Sequence, residues 1–457
     1  MTKRSVASKK LWKIGIKELN TQYFDFNKEG DLIIKEGHNI YNVRYLADKM
    51  GTSLEILMPF IIEERLEDLL DIAQALSKKT GYKGKFLYHF PMKVNQNKEA
   101  IMAIVGEGAH LETSSYNDLY LIKKMLEQES FNPNIRILCN GPKTDKYMNL
   151  IDELQHKGTK IFPIIEGPNE LMLLQHSKYD VGIRLDMPVK ADSIWNKPVD
   201  RFGFPAKDIL AMSSFKNLKI LHYHIGSQIE KLSDVIVPIK YALDVYFKLK
   251  EKNPSLDTLD IGGGMPIPYK RTKNYSVDKL LEKIFEVVKK ESEKRGVSHP
   301  NIICEWGRYI VAPAQINIYK IIDTKKIHSK KVDAKKWYVI DGSFMNDLCD
   351  TWAIKQQWAI APINNKDDNN LTQVWLAGST CDSDDTYVGN GSITLPDYEI
   401  NGHPMYIVVF DTGAYEDALV MHHCLLSSPL KIIAENGHIV IARKRETPEE
   451  VGKVFGW

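Results

Sequence analysis

Phe86-Leu-Tyr-His-Phe-Pro-Met-Lys93-Val-Asn-Gln96 is an apolar, aromatic-rich run that ends on one lysine and then turns polar. The run reads as a buried strand. A lysine closing such a strand has two readings. Its stem can lie along the core while the ammonium reaches solvent. Alternatively, it is a Schiff-base lysine whose amine is exposed by desolvation. The surrounding chain decides between them.

Working outward, helical periodicity runs from Ile61 to Lys79, and strands and helices then alternate. Strands are expected at 86–92, 109–113, 135–139, 160–165, 180–185, 219–225, 256–261 and 301–305. The clearest amphipathic helices are expected at Lys98–Val105, Tyr116–Glu127, Asp145–His156, Asn169–His176, Ala206–Phe215, Leu232–Lys252 and Val277–Arg295. Eight strands, each trailed by a helix, make a (β/α)8 TIM barrel, where strand ends converge on one mouth. Lys93, Glu112, Asn140, Glu166, Arg184, His224, Gly262 to Gly264 and Glu305 each fall at or just past a strand end. Their shared position marks that mouth as the active site.

After about Ala312 the alternation stops. Gln315–Ile322, Lys336–Ile340, Thr372–Ala377, Tyr406–Phe410 and His438–Arg443 read as short strands of a mostly β second domain. The expected organisation is 1–58 as N-terminal strands belonging to the β domain, 59–312 as the barrel, and 313–457 as the β domain. In the first segment Asp31–Lys35 reads as a strand and Val43–Met50 as a helix ended by Gly51. The lysine-rich stretch Lys325–Lys336 reads as a solvated loop.

The whole-chain composition fits a two-domain globular protein. The chain has 457 residues, 43% hydrophobic and 26% charged, with a net charge of +2. That charge gives no bulk field toward nucleic acid or membrane, and no apolar run is long enough to span a bilayer. The basic start Met1–Lys10 has no apolar run behind it, so no secretory signal is expected. Five scattered cysteines (139, 304, 349, 381, 424) argue for a reducing cytoplasm.

Several motifs carry chemistry. Leu259-Asp-Ile-Gly-Gly-Gly264 follows a strand and reads either as a tight turn or as a backbone nest for phosphate. Glu305-Trp-Gly-Arg308 puts a carboxylate and a guanidinium at the rim. That pair either braces the strand end or serves a ligand, with Arg308 on a phosphate. His222-Tyr-His224-Ile-Gly-Ser227 places an imidazole and a hydroxyl there. His224 can stack on a flat ligand and Ser227 can bond phosphate. Cys381-Asp-Ser-Asp-Asp385 sets a thiol among carboxylates and reads as a cation pocket. It lacks EF-hand spacing, and no histidine pair has metal-ligand spacing, so no metal is expected. Asp411-Thr-Gly-Ala-Tyr415 reads as a turn delivering a hydroxyl.

In this order, the lysine after the first barrel strand, His-x-Gly-Ser, Gly-Gly-Gly, Glu-x-Gly-Arg, Cys-Asp-x-x-Asp and Gly-Ala-Tyr resemble the fold-type III PLP-dependent decarboxylases. These include diaminopimelate, ornithine and biosynthetic arginine decarboxylases, and share an alanine racemase-like barrel plus β domain. The resemblance runs from about residue 45 to 420. It implies pyridoxal 5'-phosphate as cofactor, Lys93 as the Schiff-base lysine, His224 stacking on the ring and Glu305 on the pyridine nitrogen. It also implies a phosphate site of Ser227, Gly262, Gly263, Gly264, Arg308 and Tyr415. Cys381 is implied as proton donor and Asp382 as partner of the substrate's distal cation. Asp385 and Arg201 stand beside Asp382 as substrate contacts. The resemblance further implies a homodimer in which Cys381 and Asp382 reach the other subunit's site.

Glu305, where alanine racemase sets an arginine, favours a decarboxylase. Pro91-Met-Lys93-Val-Asn-Gln96, Leu138-Cys-Asn140-Gly and Cys381-Asp-Ser-Asp384 resemble the biosynthetic arginine decarboxylases. L-Arginine, giving agmatine for polyamine synthesis, is therefore the expected substrate. Lysine, ornithine, meso-diaminopimelate and carboxynorspermidine are the rivals. A reading of another class is an inactive homologue that regulates a partner. The chain departs from the arginine enzymes in three ways. It is too short for their helical insertion and C-terminal extension, Asp385 stands where they have glycine, and Trp306 where they have proline.

Overall fold

The computed structural model describes residues 9–128, 134–188, 200–272, 274–364, 370–388, 391–400 and 402–457. The first eight residues of the basic N-terminal stretch lie outside that set. The chain forms two compact units, one of Ile62–Pro266 and Asn274–Ile310, the other of Met1–Ile61, Ile267–Lys273 and Val311–Trp457.

The first unit is a closed parallel barrel of eight strands. They are β1 (Phe86–Pro91), β2 (His110–Thr113), β3 (Arg136–Cys139), β4 (Lys160–Ile165), β5 (Val181–Arg184), β6 (Leu218–His222), β7 (Thr258–Asp260) and β8 (Asn301–Cys304). Neighbours in sequence are neighbours in space, and β8 closes on β1 with Ile302 opposite Phe86. Leu138, Phe162, Ile164, Ile220 and Ile303 form a buried cluster with Leu87 packed against it. These branched and aromatic side chains fill the barrel interior, so the polar residues collect at its ends.

The helices follow their apolar stripes. In Val277–Lys294 the buried set is Val277, Leu280, Leu281, Ile284, Phe285, Val287 and Val288, with Ser292. Burying each large apolar side chain contributes about 1.5–3 kcal/mol. Phe285 stacks on Tyr82 at 4.7 Å. Ser115 and Thr144 cap the helices Tyr116–Leu126 and Asp145–His156 through the amides of Asp118 and Tyr147.

The second unit is built on a ten-stranded mixed sheet. Leu54–Leu57 lies inside it, antiparallel to Gln315–Lys326 and parallel to Leu430–Glu435. The earlier strands Phe24–Phe26, Leu32–Glu36 and Asn39–Asn42 form a three-stranded sheet of their own. The two-residue Gly37-His38 turn, with φ +53° at Gly37, lets the latter two pair locally.

The expected solvated loop at Lys325–Lys336 is only partly a loop. Lys325 and Lys326 end the strand Gln315–Lys326, and Lys336 begins Lys336–Ile340. Lys336 is buried and pairs with Asp397 at 2.6 Å and Glu399 at 2.5 Å. These two carboxylates, distant in sequence, are what let a lysine sit in the sheet. Among the described residues no helix is long and apolar enough to cross a membrane.

Candidate active site

At the end of β1 the chain tightens into a 3-10 turn, Met92–Val94. Met92 and Val94 are buried, which turns Lys93 alone toward the mouth. Its Nζ lies 2.9 Å from Glu112 Oε2, at the end of β2. Glu112 is fully buried, and its other oxygen accepts from Ser114 Oγ at 2.8 Å. Lys93 therefore neutralises a carboxylate that burial alone would disfavour.

Glu305 follows β8 and is buried. Asn140, just past β3, donates from Nδ2 to Glu305 Oε1 at 3.0 Å. Burial, then the charge of Glu112, pushes Glu305 up to about 7, against the pull of Lys93, Asn140 and Arg184. Asp260, at the end of β7, accepts the Gly262 amide at 2.9 Å. Burial and the facing Glu305 raise it well above the usual carboxylate range. Beyond each other, Glu305 Oε2 and Asp260 Oδ2 meet no hydrogen-bond partner among the described residues. His222 Nε2 lies 3.7 Å from Glu305 Oε1. The ligating atoms of His222, Asp260 and Glu305 lie within 4.8 Å of one another, a grouping the sequence spacing did not show.

His224 leaves the strand two residues after β6 ends. Its Nδ1 accepts the Gly226 amide at 3.0 Å, which leaves the ring proton on Nε2. Burial, with the nearby charges of Lys93 and Arg184, lowers His224 to about 3. The imidazole is therefore neutral at physiological pH. A Cβ on Gly263 would come within 3.1 Å of both His224 Nε2 and the Glu305 carbonyl oxygen. On Gly262 it would meet the Tyr223 carbonyl at 2.5 Å. At Gly262 only a bare backbone fits, while at Gly263 an added Cβ would press on its neighbours. Arg308 is buried and donates from Nε to Ser227 Oγ at 3.2 Å, so these two expected phosphate contacts are brought together. Arg184, ending β5, donates to Glu166 Oε1 at 2.9 Å and lies over Phe202. Arg201 is exposed and covers the same ring at 4.4 Å. Trp306 is buried, and its carbonyl accepts from Tyr88 at 3.4 Å. The proline-to-tryptophan departure thus leaves Glu305 and Arg308 on the barrel.

In the sheet unit, Cys381 is exposed and its Sγ lies 3.5 Å from Cys424 Sγ. Hydrogen bonding to Cys424 pushes the Cys381 thiol up, and the charges of Cys424 and Asp382 add to it. Asp382 Oδ2 lies 3.3 Å from His423 Nε2. Asp385 is buried and already occupied. It accepts from Thr380 Oγ1 at 2.7 Å and from the Met345 amide at 3.1 Å, so any substrate contact would share a carboxylate that braces this loop. Gly413 fits the turn before Tyr415 because a Cβ there would meet the Val311 carbonyl at 2.0 Å. Tyr415 itself has φ +74°. Asp411 anchors the same turn through an ion pair with Arg271 at 2.8 Å.

The model of the pyridoxal-dependent decarboxylase pyridoxal-binding domain matches residues 69–312, and that of the family's C-terminal sheet domain matches 241–413. The chain belongs to the pyridoxal-dependent decarboxylases. Its cofactor is pyridoxal phosphate, and the mouth fits it. The cramped glycine backbone and Arg308 suit a phosphate, and Glu305 Oε2 is a buried acceptor for a ring nitrogen. The biosynthetic arginine decarboxylase of Phocaeicola vulgatus is 26% identical over 340 residues, 66% of this chain and 53% of that protein. That of Prochlorococcus marinus strain MIT 9215 is 24% identical, covering 89% and 83%. The chain spans about half the length of the first curated relatives it matches. Among solved structures, diaminopimelate decarboxylase of M. jannaschii has a TM-score of 0.80 at 23% identity, covering 95% of this chain and 97% of that one. The biosynthetic arginine decarboxylase of Campylobacter jejuni has a TM-score of 0.78 at 18% identity, covering 100% and 94%.

Sequence reasoning placed Glu112 and Asn140 near the mouth but gave them no partners, and it did not single out Asp260. The signal was their position at strand ends. Their pairing needs the barrel register, which spacing along the chain does not give.

Proposed function

We propose that this protein decarboxylates a basic amino acid, with L-arginine the favoured substrate and agmatine the product. The observation that carries this reading is the mouth itself. One lysine at the end of β1, a buried glutamate after β8 and a glycine cradle after β7 share a single rim.

When bound, pyridoxal phosphate supplies an electron sink for the carbanion left as CO2 departs. Lys93 holds the cofactor covalently, and Glu112 keeps that side chain at the rim. The neutral, hydrogen-bonded His224 gives a flat face for stacking. Glu305 Oε2 would accept a hydrogen bond from the ring nitrogen and favour its protonated form, while Asn140 fixes Oε1. Ser227, Gly262 to Gly264 and Arg308 would hold the phosphate. Cys381 offers an exposed thiol, which suits a proton donor. Asp382 pairs with the substrate's distal cation, and its exposed partner His423 is exchangeable. Cys381 and Asp382 of one subunit serve the site of the other in a homodimer. The free cysteines suit a reducing cytoplasm.

The arginine preference rests on the aspartate at 382 and on the relatives named as arginine decarboxylases. The test of the lysine is Lys93→Ala. The expected result is loss of both the visible band of lysine-bound cofactor and CO2 release; an active variant contradicts the assignment.

A further inference from the structure

Two loops of the sheet unit are clasped by adjacent residues. Cys381 faces Cys424 at 3.5 Å, and Asp382 faces His423 at 3.3 Å. The second loop is held in place by buried Asn346. Asn346 donates to the His423 carbonyl at 2.9 Å and accepts the His423 amide at 3.2 Å. Cys424 itself sits at φ +56°, a conformation that the fastened loop holds. Both thiols are exposed on the single chain, and in the dimer peroxide is small enough to enter the substrate site that Cys381 serves. Disulfide sulfurs stand about 2.05 Å apart, so bond formation must draw these two sulfurs together by about 1.5 Å from their 3.5 Å separation.

We infer that Cys381 and Cys424 form a reversible intrachain disulfide under peroxide, a modification that switches the enzyme off. This rests on the reading of Cys381 as proton donor. Cys381 first gives up its proton; its thiolate attacks the peroxide O–O bond, one oxygen joins the sulfur as a sulfenic acid, and the other leaves as hydroxide, which the released proton converts to water. The second thiol then attacks that sulfur, forming the S–S bond and releasing a second water. Two thiols are oxidised by two electrons and one peroxide is reduced. Cys424 is the resolving thiol: it captures the sulfenic acid before further, irreversible oxidation. The product has no S–H at position 381, so the proton donor is withdrawn.

The experiment treats the cofactor-loaded protein with hydrogen peroxide. Amine product is then assayed before and after dithiothreitol, beside a non-reducing peptide map. The expected map contains one linked peptide joining Cys381 and Cys424. Amine formation falls about a hundredfold, the lower range for loss of a proton-transfer group, and dithiothreitol restores it. Cys424→Ser, with Cys424→Ala as a second variant, keeps basal activity. In both, peroxide carries Cys381 to sulfinic acid, which dithiothreitol does not reverse. Absence of the linked peptide from the oxidised native protein overturns the inference, as does equal reversibility in the Cys424 variants. A linked peptide with undiminished amine formation overturns the switch and, separately, the role of Cys381 as donor.

Discussion

Asn140 Nδ2 donates to Glu305 Oε1 at 3.0 Å, joining the ends of β3 and β8 across the barrel mouth. This bond holds one oxygen of a buried carboxylate and favours its ionised form. Asn140→Leu removes it. Hydrogen bonds to charged groups contribute about 1.5–3 kcal/mol, so cofactor affinity is expected to weaken about tenfold or more. Titration of cofactor-free protein, followed by the visible band, measures this. Unchanged affinity contradicts the role given to Asn140.

Glu305 has a folded pKa raised to about 7 before cofactor binds. The folded chain therefore holds a proton that the unfolded chain releases near 4.5, the ordinary value. Stability from this group is present below the unfolded value and is lost as pH rises toward about 7. At 1.36 kcal/mol per unit, the loss is up to about 3 kcal/mol. Urea unfolding of cofactor-free protein at pH values across this window, beside Glu305→Gln, isolates it. The variant is expected to lack this part of the pH dependence.

Gly263→Ala tests the cradle. The added Cβ meets His224 Nε2 and the Glu305 carbonyl at 3.1 Å, a spacing the fold absorbs with small shifts. A folded barrel with clearly weaker cofactor binding is expected. Circular dichroism and the visible band separate the two effects.

In the sheet unit, buried Lys431 pairs with Glu55 at 3.2 Å and Asp417 at 2.5 Å, while Arg443 reaches Glu55 at 2.9 Å. Breaking one partner of a buried charge network costs about 3–5 kcal/mol. Lys431→Met is expected to lower stability by that order in urea unfolding. A change within about 0.5 kcal/mol, as at an ordinary surface site, contradicts the network's role.

Much of the barrel was legible because its strands are buried on both faces and its helices carry apolar stripes. Val277–Lys294 and β1 could hardly be read otherwise. Ends were less legible. The strand expected through residue 225 stops at His222, where the chain leaves the ladder and the Gly226 amide turns to His224 Nδ1. Charge pairing across sequence was not legible at all. Lys336 looked like a loop lysine until Asp397 and Glu399 supplied its partners. Asp385 looked like Asp382, and only the folded loop shows that Thr380 and Met345 occupy it. The Cys381 and Cys424 contact likewise joins residues that no spacing rule connects.

The most direct test of the account is CO2 release by the cofactor-loaded protein, assayed side by side on L-arginine, L-lysine, L-ornithine, meso-diaminopimelate and carboxynorspermidine. Release with clear preference for L-arginine is the predicted result. Release from diaminopimelate instead would contradict the arginine assignment and make Asp382 the partner of a different side chain. No release from any of them, with the lysine-bound cofactor band present, would contradict the decarboxylase reading of this site.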